Sequence, residues 1–411
     1  MTDAQSPARF EFLNRKWDDP RYRELLTMQR PQEMLNTHAI AAMVGAINRV
    51  DGGPVTRAPL QLVAVTGDAV DNAQHNELAN ALALLNSGVV RPDSGAPGYD
   101  GVQDIDWHGE IFWKPDGPPD GDLFQSAFGF PRHPGLLEQA VQPFRSEGVR
   151  VPWLASHGNH EYVCQGVGLV NPVLARVMTG SRKSVEAPVG IDADNAVETF
   201  VQHPELFALG AYVEVAADAD RRPMVRDEMV PKPYYVHDAD RVRFVTLDTV
   251  CYRGGAEGTI DQTQLQWMER QLAEAGDRYV VVLSHHGSDR LANPRGEQNS
   301  LALVDLMSRF PKVVLWLNGH IHTNRVRAHD GFLEVTTASI VHWPCQARVV
   351  EMFETGDGRL AIACTMLDHD GEGLAGLHRE LAGNGRMYSF HSGSAGTPAD
   401  RNAILLLPAP L

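Results

Sequence analysis

Residues 313–322 read VVLWLNGHIH: an apolar run from Val313 to Leu317 that delivers Gly319, His320 and His322 directly after it. A run so short and so apolar reads as a strand buried on both faces, as in the interior of a parallel sheet. His320 and His322 alternate along an extended segment and therefore point to one side, which suits chelation of an ion. Outward from this stretch the same design recurs. Leu60 to Val65 leads into Gly67-Asp68 and then Asp71-Asn72, Val149 to Ala155 leads into Gly158-Asn159-His160-Glu161, and Tyr279 to Leu283 leads into His285-His286. Ligands of open α/β sheets bind beyond the carboxyl ends of the strands. A polar residue after one strand is usually a turn or a helix cap; ligand-type residues after one strand after another point to a single site.

Amphipathic helical stretches lie between the strands. Met43, Ile47 and Val50 mark one, Leu78, Leu82 and Leu85 a second that stops near Gly88, and Leu265, Met268 and Leu272 a third that ends at Gly276. A further strand is expected over Val242 to Leu247, and strand–helix alternation with short connections implies a layered α/β architecture. After Ile321 the candidates Leu333 to Ala338, Arg348 to Phe353 and Leu360 to Met366 follow closely, as a second sheet or its edge. Residues 1–382 read as a single domain with insertions at about 91–132 and 165–240. The first insertion carries Trp107, Phe112 and Trp113, expected to form its core. The second carries Ser181, Arg182 and Lys183, expected to be a solvated loop. The tail, 383–411, is rich in Gly, Ser, Ala and Pro and is expected to wrap the surface or to be loosely ordered.

The chain has 411 residues, 43% of them hydrophobic, enough for a sizeable core. Its 52 acidic and 36 basic residues give a net charge of −16, which disfavours a polynucleotide partner. Cys164, Cys251, Cys345 and Cys364 are far apart, so a disulfide framework is not expected. No run of apolar residues is long enough for a membrane span, and residues 1–9 lack the apolar core of a signal peptide, which argues for no membrane partner and a cytoplasmic location.

Carboxylate, amide and imidazole groups together offer the mixed oxygen and nitrogen coordination preferred by Mn, Fe, Zn or Ni. Over Thr66 to His322 the motifs resemble, in type and order, the calcineurin-like metallophosphoesterase superfamily, whose pattern is D-x-H, G-D-x-x-D, G-N-H-[DE], H and G-H-x-H. The stretch Thr336 to Arg348, TTASIVHWPCQAR, is similar to a bacterial branch of phosphoesterases and cyclic-nucleotide phosphodiesterases. The resemblance implies a four-layer α/β/β/α sandwich of two mixed sheets flanked by helices. It also implies two divalent metal ions and hydrolysis of a small-molecule phosphomonoester or phosphodiester by a metal-bound hydroxide. By the same resemblance Asp68 bridges the metals, Asn159, His285 and His320 complete the second site, His322 belongs to the first, and His160 is the catalytic acid. His157, His286 and His342 read as packing or supporting histidines, and nothing marks Cys164 as a nucleophile.

One element of the pattern is missing. Residues 1–30 contain no histidine, so the D-x-H that would supply the first metal has no counterpart there. Asp106-Trp107-His108 follows no buried strand and reads as a chance match, and no strand leads into Asp3-Ala4-Gln5. Either the true start lies upstream, the reading favoured by the intact remaining motifs, or the first metal site has degraded. The alternatives to a phosphatase or phosphodiesterase are a nuclease and a non-catalytic scaffold with a vestigial metal site.

Overall fold

The computed structural model describes residues 1–12, 30–107, 112–191, 196–297, 299–387 and 393–408. Its centre is a six-stranded mixed sheet in the order Arg325–Ala328, Leu333–Thr336, Val313–Asn318, Tyr279–Leu283, Val242–Thr246, Tyr235–Ala239. The four inner strands run parallel, and the two edge strands are antiparallel to their neighbours. Alternation along the strands assigns the faces. Val245, Val280, Val282 and Trp316 pack on one side against Leu265, Met268 and Leu272 of the Gln262–Ala273 helix and Leu303, Leu306 and Met307 of the Ser300–Ser308 helix. Asp261 caps the first of these helices by accepting from the Gln264 amide at 2.7 Å.

Tyr279, Val281, Leu283 and Leu315 face the other way, onto Leu360, Ile362 and Cys364 of a second, three-stranded antiparallel sheet, Gln346–Glu354, Arg359–Asp368 and Ala403–Pro408. Val314 and Leu315 both lie on this face because a bulge interrupts the pairing between Val280 and Val281. The strand at Ala403–Pro408 corrects the reading of the tail: a Gly- and Ser-rich stretch hid a segment that completes a sheet.

Two strands are shorter than their apolar runs. Among the described residues Val63–Val65 pairs in parallel with Trp153–Ala155 alone, and Pro152, which has no N–H to donate, ends the ladder. The Tyr235 hydroxyl joins this pair to the main sheet, donating to the Ala155 carbonyl at 2.9 Å and accepting from its amide at 3.0 Å. On the His75–Asn86 helix the buried stripe is Leu78, Ala81 and Leu84, while Leu82 is half-buried, so the helix is turned slightly from the Leu78-Leu82-Leu85 reading.

Residues 1–12 run through the interior, with Phe10 packed edge-on to Phe200 and close to Phe207. Asp3 pairs with Arg221 at 3.2 Å and accepts from Asn76 Nδ2 at 2.7 Å, so the Asp3-Ala4-Gln5 stretch is tied up in the fold's interior. Lys183 corrects the solvated-loop reading. Neighbours on a strand face opposite ways, so Arg182 is exposed while Lys183 is fully buried, its Nζ donating to Glu11 Oε1 and to the Ser6 carbonyl, each at 2.8 Å. Phe112 and Trp113 are buried, and Trp113 packs against Phe130; His108 of the Asp106-Trp107-His108 triplet lies outside the described residues. The four cysteines are buried and free. Among the described residues no helix is long and apolar enough to cross a membrane.

Candidate metal centre

The parallel strands bring their carboxyl ends to one edge, and the turns beyond them lock together through short hydrogen bonds. Ser156 N donates to the Val65 carbonyl at 3.0 Å, and Gly319 N to the His285 carbonyl at 3.0 Å. The Gly67-Asp68 and Gly158-Asn159 turns approach so closely that a Cβ at Gly67 would lie 2.6 Å from His285 Nδ1, and one at Gly158 would lie 2.1 Å from Asp68 Oδ1. Asp68, His320 and His322 all hold positive φ, at 57°, 63° and 51°. Non-glycine residues persist in that region only where their surroundings impose it.

Glu161 supplies much of the imposition. Its carboxylate accepts from the amides of Asp68 at 2.9 Å, Gly158 at 2.6 Å and Val70 at 3.3 Å, and also from Ala69, pinning one turn to the other. Removing it strands several buried donors, each worth about 1–3 kcal/mol. Glu161→Ala is therefore expected to lower the stability by about 3 kcal/mol or more in a urea titration; an unchanged midpoint would show that the turns hold without it.

Within this frame four lone-pair donors meet. His285 Nε2 lies 3.1 Å from Asp68 Oδ2, 3.1 Å from Asn159 Oδ1 and 3.2 Å from His320 Nδ1. The available protons are spent elsewhere. His285 Nδ1 reaches the Thr66 carbonyl at 2.7 Å, and Asn159 turns its Nδ2 to the Gly166 carbonyl at 2.7 Å, which leaves Oδ1 facing inward. Burial, reinforced by His286 and His285, lowers the pKa of His320 and keeps its ring neutral, with a lone pair to offer. At His285 burial opposes the charge, but Asp68 outweighs it and raises the pKa: the pocket attracts positive charge at Nε2. Such a gathering of acceptors suits a cation, and an amide oxygen, a carboxylate and two imidazoles match the preferences of a divalent transition ion.

His286 is close enough to His285 and His320 to form a three-histidine group among the described residues. Its nitrogens are committed, however: Nε2 to the Ala256 carbonyl at 3.0 Å and Nδ1 to the Thr249 hydroxyl at 2.8 Å. Burial, with His285 beside it, pushes its pKa down to about 3. It therefore packs and orients the ligand-type histidines. His322 does not join the four-group cluster. Its Nδ1 is hydrogen-bonded to Nδ1 of His342, with the two rings 4.5 Å apart. Cys164 is buried, its thiol donating to the Ala8 carbonyl at 3.3 Å, and burial pushes its pKa up, which disfavours the thiolate a nucleophile needs.

His160 stands at the rim. Its amide donates to Asp68 Oδ1 at 3.2 Å, and its Nδ1 lies 2.9 Å from Asp71 Oδ1 and 3.0 Å from the Asp71 carbonyl. The far nitrogen, Nε2, lies over Gly166, where a Cβ would come within 2.2 Å. Burial disfavours the imidazolium, but Asp68 and Asp71 outweigh it and raise the pKa to about 9. Asp71 is itself ionised: burial opposes its charge, and the guanidinium groups of Arg9 and Arg30 overcome that. Arg9 and Arg30 are site residues that sequence reasoning passed over, and Asp71 and Glu161 were placed after their strands but given no role. The only local signal was that Asp71 and Glu161 fall inside the G-D-x-x-D and G-N-H-[DE] motifs; the arginines gave none.

Comparison with known proteins decides the family. The Calcineurin-like phosphoesterase profile matches residues 119–324, half of the chain. The chain belongs to the calcineurin-like phosphoesterase family. Members of this family are phosphoric ester hydrolases, and the His285, Asn159 and His320 positions described above fall within the matched residues. The chain is 26% identical over 192 residues to the glycerophosphodiester phosphodiesterase GpdQ of Enterobacter lignolyticus, covering 45% of this chain and 69% of that one. It is 36% identical over 90 residues to the 3',5'-cyclic adenosine monophosphate phosphodiesterase CpdA of Pseudomonas aeruginosa, covering 21% and 32%. The chain thus spans about a third of the length of CpdA. A dimetal phosphatase from Danio rerio aligns over 33% of this chain and 60% of its own, at 16% identity and a TM-score of 0.26.

Proposed function

We propose that this phosphoesterase hydrolyses a small-molecule phosphodiester at a metal centre held by Asp68, Asn159, His285 and His320, with His160 as the acid. The observation that carries the reading is the approach of Asp68 Oδ2, Asn159 Oδ1 and His320 Nδ1 to within 3.1–3.2 Å of His285 Nε2, with the protons of His285 Nδ1 and Asn159 Nδ2 turned away. A divalent ion bound there would supply Lewis-acid polarisation of the phosphoryl oxygens and a water of lowered pKa. The chain's own residues do the rest. Asp71 accepts from Nδ1 and, with Asp68, favours the imidazolium, whose second proton, on Nε2, is the one to give. As a water oxygen attacks phosphorus and the opposite P–O ester bond breaks, that proton passes to the leaving oxygen, while the attacking water releases a proton to solvent and His160 is reprotonated from it. The names of the relatives, a glycerophosphodiesterase and a cyclic-nucleotide phosphodiesterase, support a diester of glycerol or nucleotide type over a monoester.

The same reading extends to the architecture. Two helices, the main sheet and the three-stranded sheet lie in successive layers, and the Asn36–Asn48 helix packs on the Arg359–Asp368 strand beside the Gly373–Asn384 helix. This order supports a four-layer α/β/β/α sandwich. One domain over 1–382, with 91–132 and 165–240 as insertions, accounts for the way Arg221 and Lys183 of the second insertion hold residues 1–12.

Chelation followed by reloading tests the function. Protein stripped with a strong chelator is expected to lose hydrolysis of bis(p-nitrophenyl) phosphate, and one of Mn, Fe, Zn or Ni is expected to restore it. Persistent turnover after stripping, or none with any of these ions, would sink the proposal.

A further inference from the structure

The rim beyond His160 carries two exposed aromatic rings that the metal centre does not use. Asn159–Glu161 forms a single 3-10 turn, closed by the Tyr162 amide donating to the Asn159 carbonyl at 3.0 Å. Side chains three residues apart on such a turn leave on the same side. Tyr162 therefore stands on the side of Asn159, whose Oδ1 joins the donor cluster, while Glu161 turns inward to hold the Asp68 amide.

Tyr252 meets it from the opposite flank. It lies in the loop that follows the Val242–Thr246 strand, at the same carboxyl edge of the sheet. That loop is fastened beside the metal-site histidines, because the Thr249 hydroxyl and the Ala256 carbonyl engage the two ring nitrogens of His286 at 2.8 and 3.0 Å. The two tyrosine rings stand at 87° to each other with their centroids 4.3 Å apart, and Tyr162 and Tyr252 are 40% and 39% exposed. The rest of Tyr252 is held in place. Its hydroxyl donates to the buried Asp248, and Arg226, from the 165–240 segment, pairs with the same carboxylate while its guanidinium lies 4.9 Å over the ring. Tyr252 is thus a fixed wall against which Tyr162 rests.

We propose that Tyr162, backed by Tyr252, is the specificity residue of this site and stacks a flat ring of nucleobase type carried by one ester arm of the substrate. This rests on the metallophosphoesterase reading above. A tyrosine face stacks planar rings of many kinds, and ordering it fixes only two torsions. A choline-type cation would need an aromatic cage, and Arg226 already holds the place that such a cation would take over Tyr252. A glycerol arm carries no ring and gains nothing from stacking. Of the two diester types, the pair therefore selects the nucleotide.

The test measures binding and needs no turnover. Wild type, Tyr162→Ala and Tyr162→Phe, each loaded with Mn(II), would be titrated calorimetrically with adenosine 5'-monophosphate and with glycerol 3-phosphate, which share a phosphate and differ in the ring. The nucleotide is expected to bind the wild type roughly tenfold more tightly or better. Tyr162→Ala is expected to lose roughly 10- to 100-fold in affinity for the nucleotide and about twofold or less for glycerol 3-phosphate, and Tyr162→Phe to keep the wild-type preference. Equal affinities in the wild type, undiminished nucleotide binding in Tyr162→Ala, a parallel loss of both ligands, or a loss in Tyr162→Phe as large as in Tyr162→Ala would each overturn the stacking site and leave the metal centre standing. Binding of neither ligand by any of the three proteins would overturn the metallophosphoesterase reading itself and this inference with it. Because Tyr162 is exposed and phenylalanine keeps its ring, Tyr162→Phe guards against a fold that Tyr162→Ala cannot sustain.

Discussion

Asp68→Asn is expected to abolish measurable metal binding and to lower kcat/KM for bis(p-nitrophenyl) phosphate by roughly a thousandfold, about 4 kcal/mol of transition-state stabilisation. Among the described residues Asp68 brings the one anionic oxygen into contact with the donor cluster, and asparagine keeps its shape while removing its charge. The carboxylate is held well below the usual range: burial works against it, and His285 and His160 outweigh burial. Oδ1 would still accept from the His160 amide, so the turn survives and thermal unfolding of the metal-free variant should stay close to that of the wild type. A variant that retains its metal at full stoichiometry would remove Asp68 from the ligand set.

His160→Ala is expected to do the converse. Metal content should be unchanged, because the contact of His160 with Asp68 is made by the backbone amide, which alanine keeps. Loss of a positioned acid costs about 100- to 10,000-fold, so kcat should fall by that factor. The loss should be smaller for a diester whose leaving group is a nitrophenolate, which departs without help, than for one that leaves as an alkoxide. Comparing the two substrates separates protonation from mere positioning. Equal losses on both would assign His160 to binding, and unaltered turnover would remove it from the mechanism.

The legibility of the site differs from residue to residue. Asn159, His285 and His320 were legible because each follows a buried strand, and strand ends converge when strands run parallel. The same logic named His322, but not the company it keeps: His342 lies 20 residues away, and the Nδ1 atoms of the two rings meet. Arg30 was illegible for a stronger reason. Its partner His342 is 312 residues distant, and no local pattern encodes such a pairing. Lys183 failed likewise, since a lysine reads as solvated until a buried carboxylate, Glu11, is brought to it from 172 residues away. The tail strand at Ala403–Pro408 was missed although Ala403 to Leu407 is wholly apolar, because the Gly- and Ser-rich residues before it set the reading of the whole tail.

The sequence alone therefore determined the alternating α/β plan, the family, and the residue types gathered at the strand ends, because hydrophobic period and turn chemistry are local properties of the chain. Only the tertiary structure decided which groups neutralise one another around that gathering. The fold sets Arg9 and Arg30 against Asp71 and Glu33 and turns His322 toward His342. Charge pairing is a matter of distance in space, which the order of residues along the chain does not show.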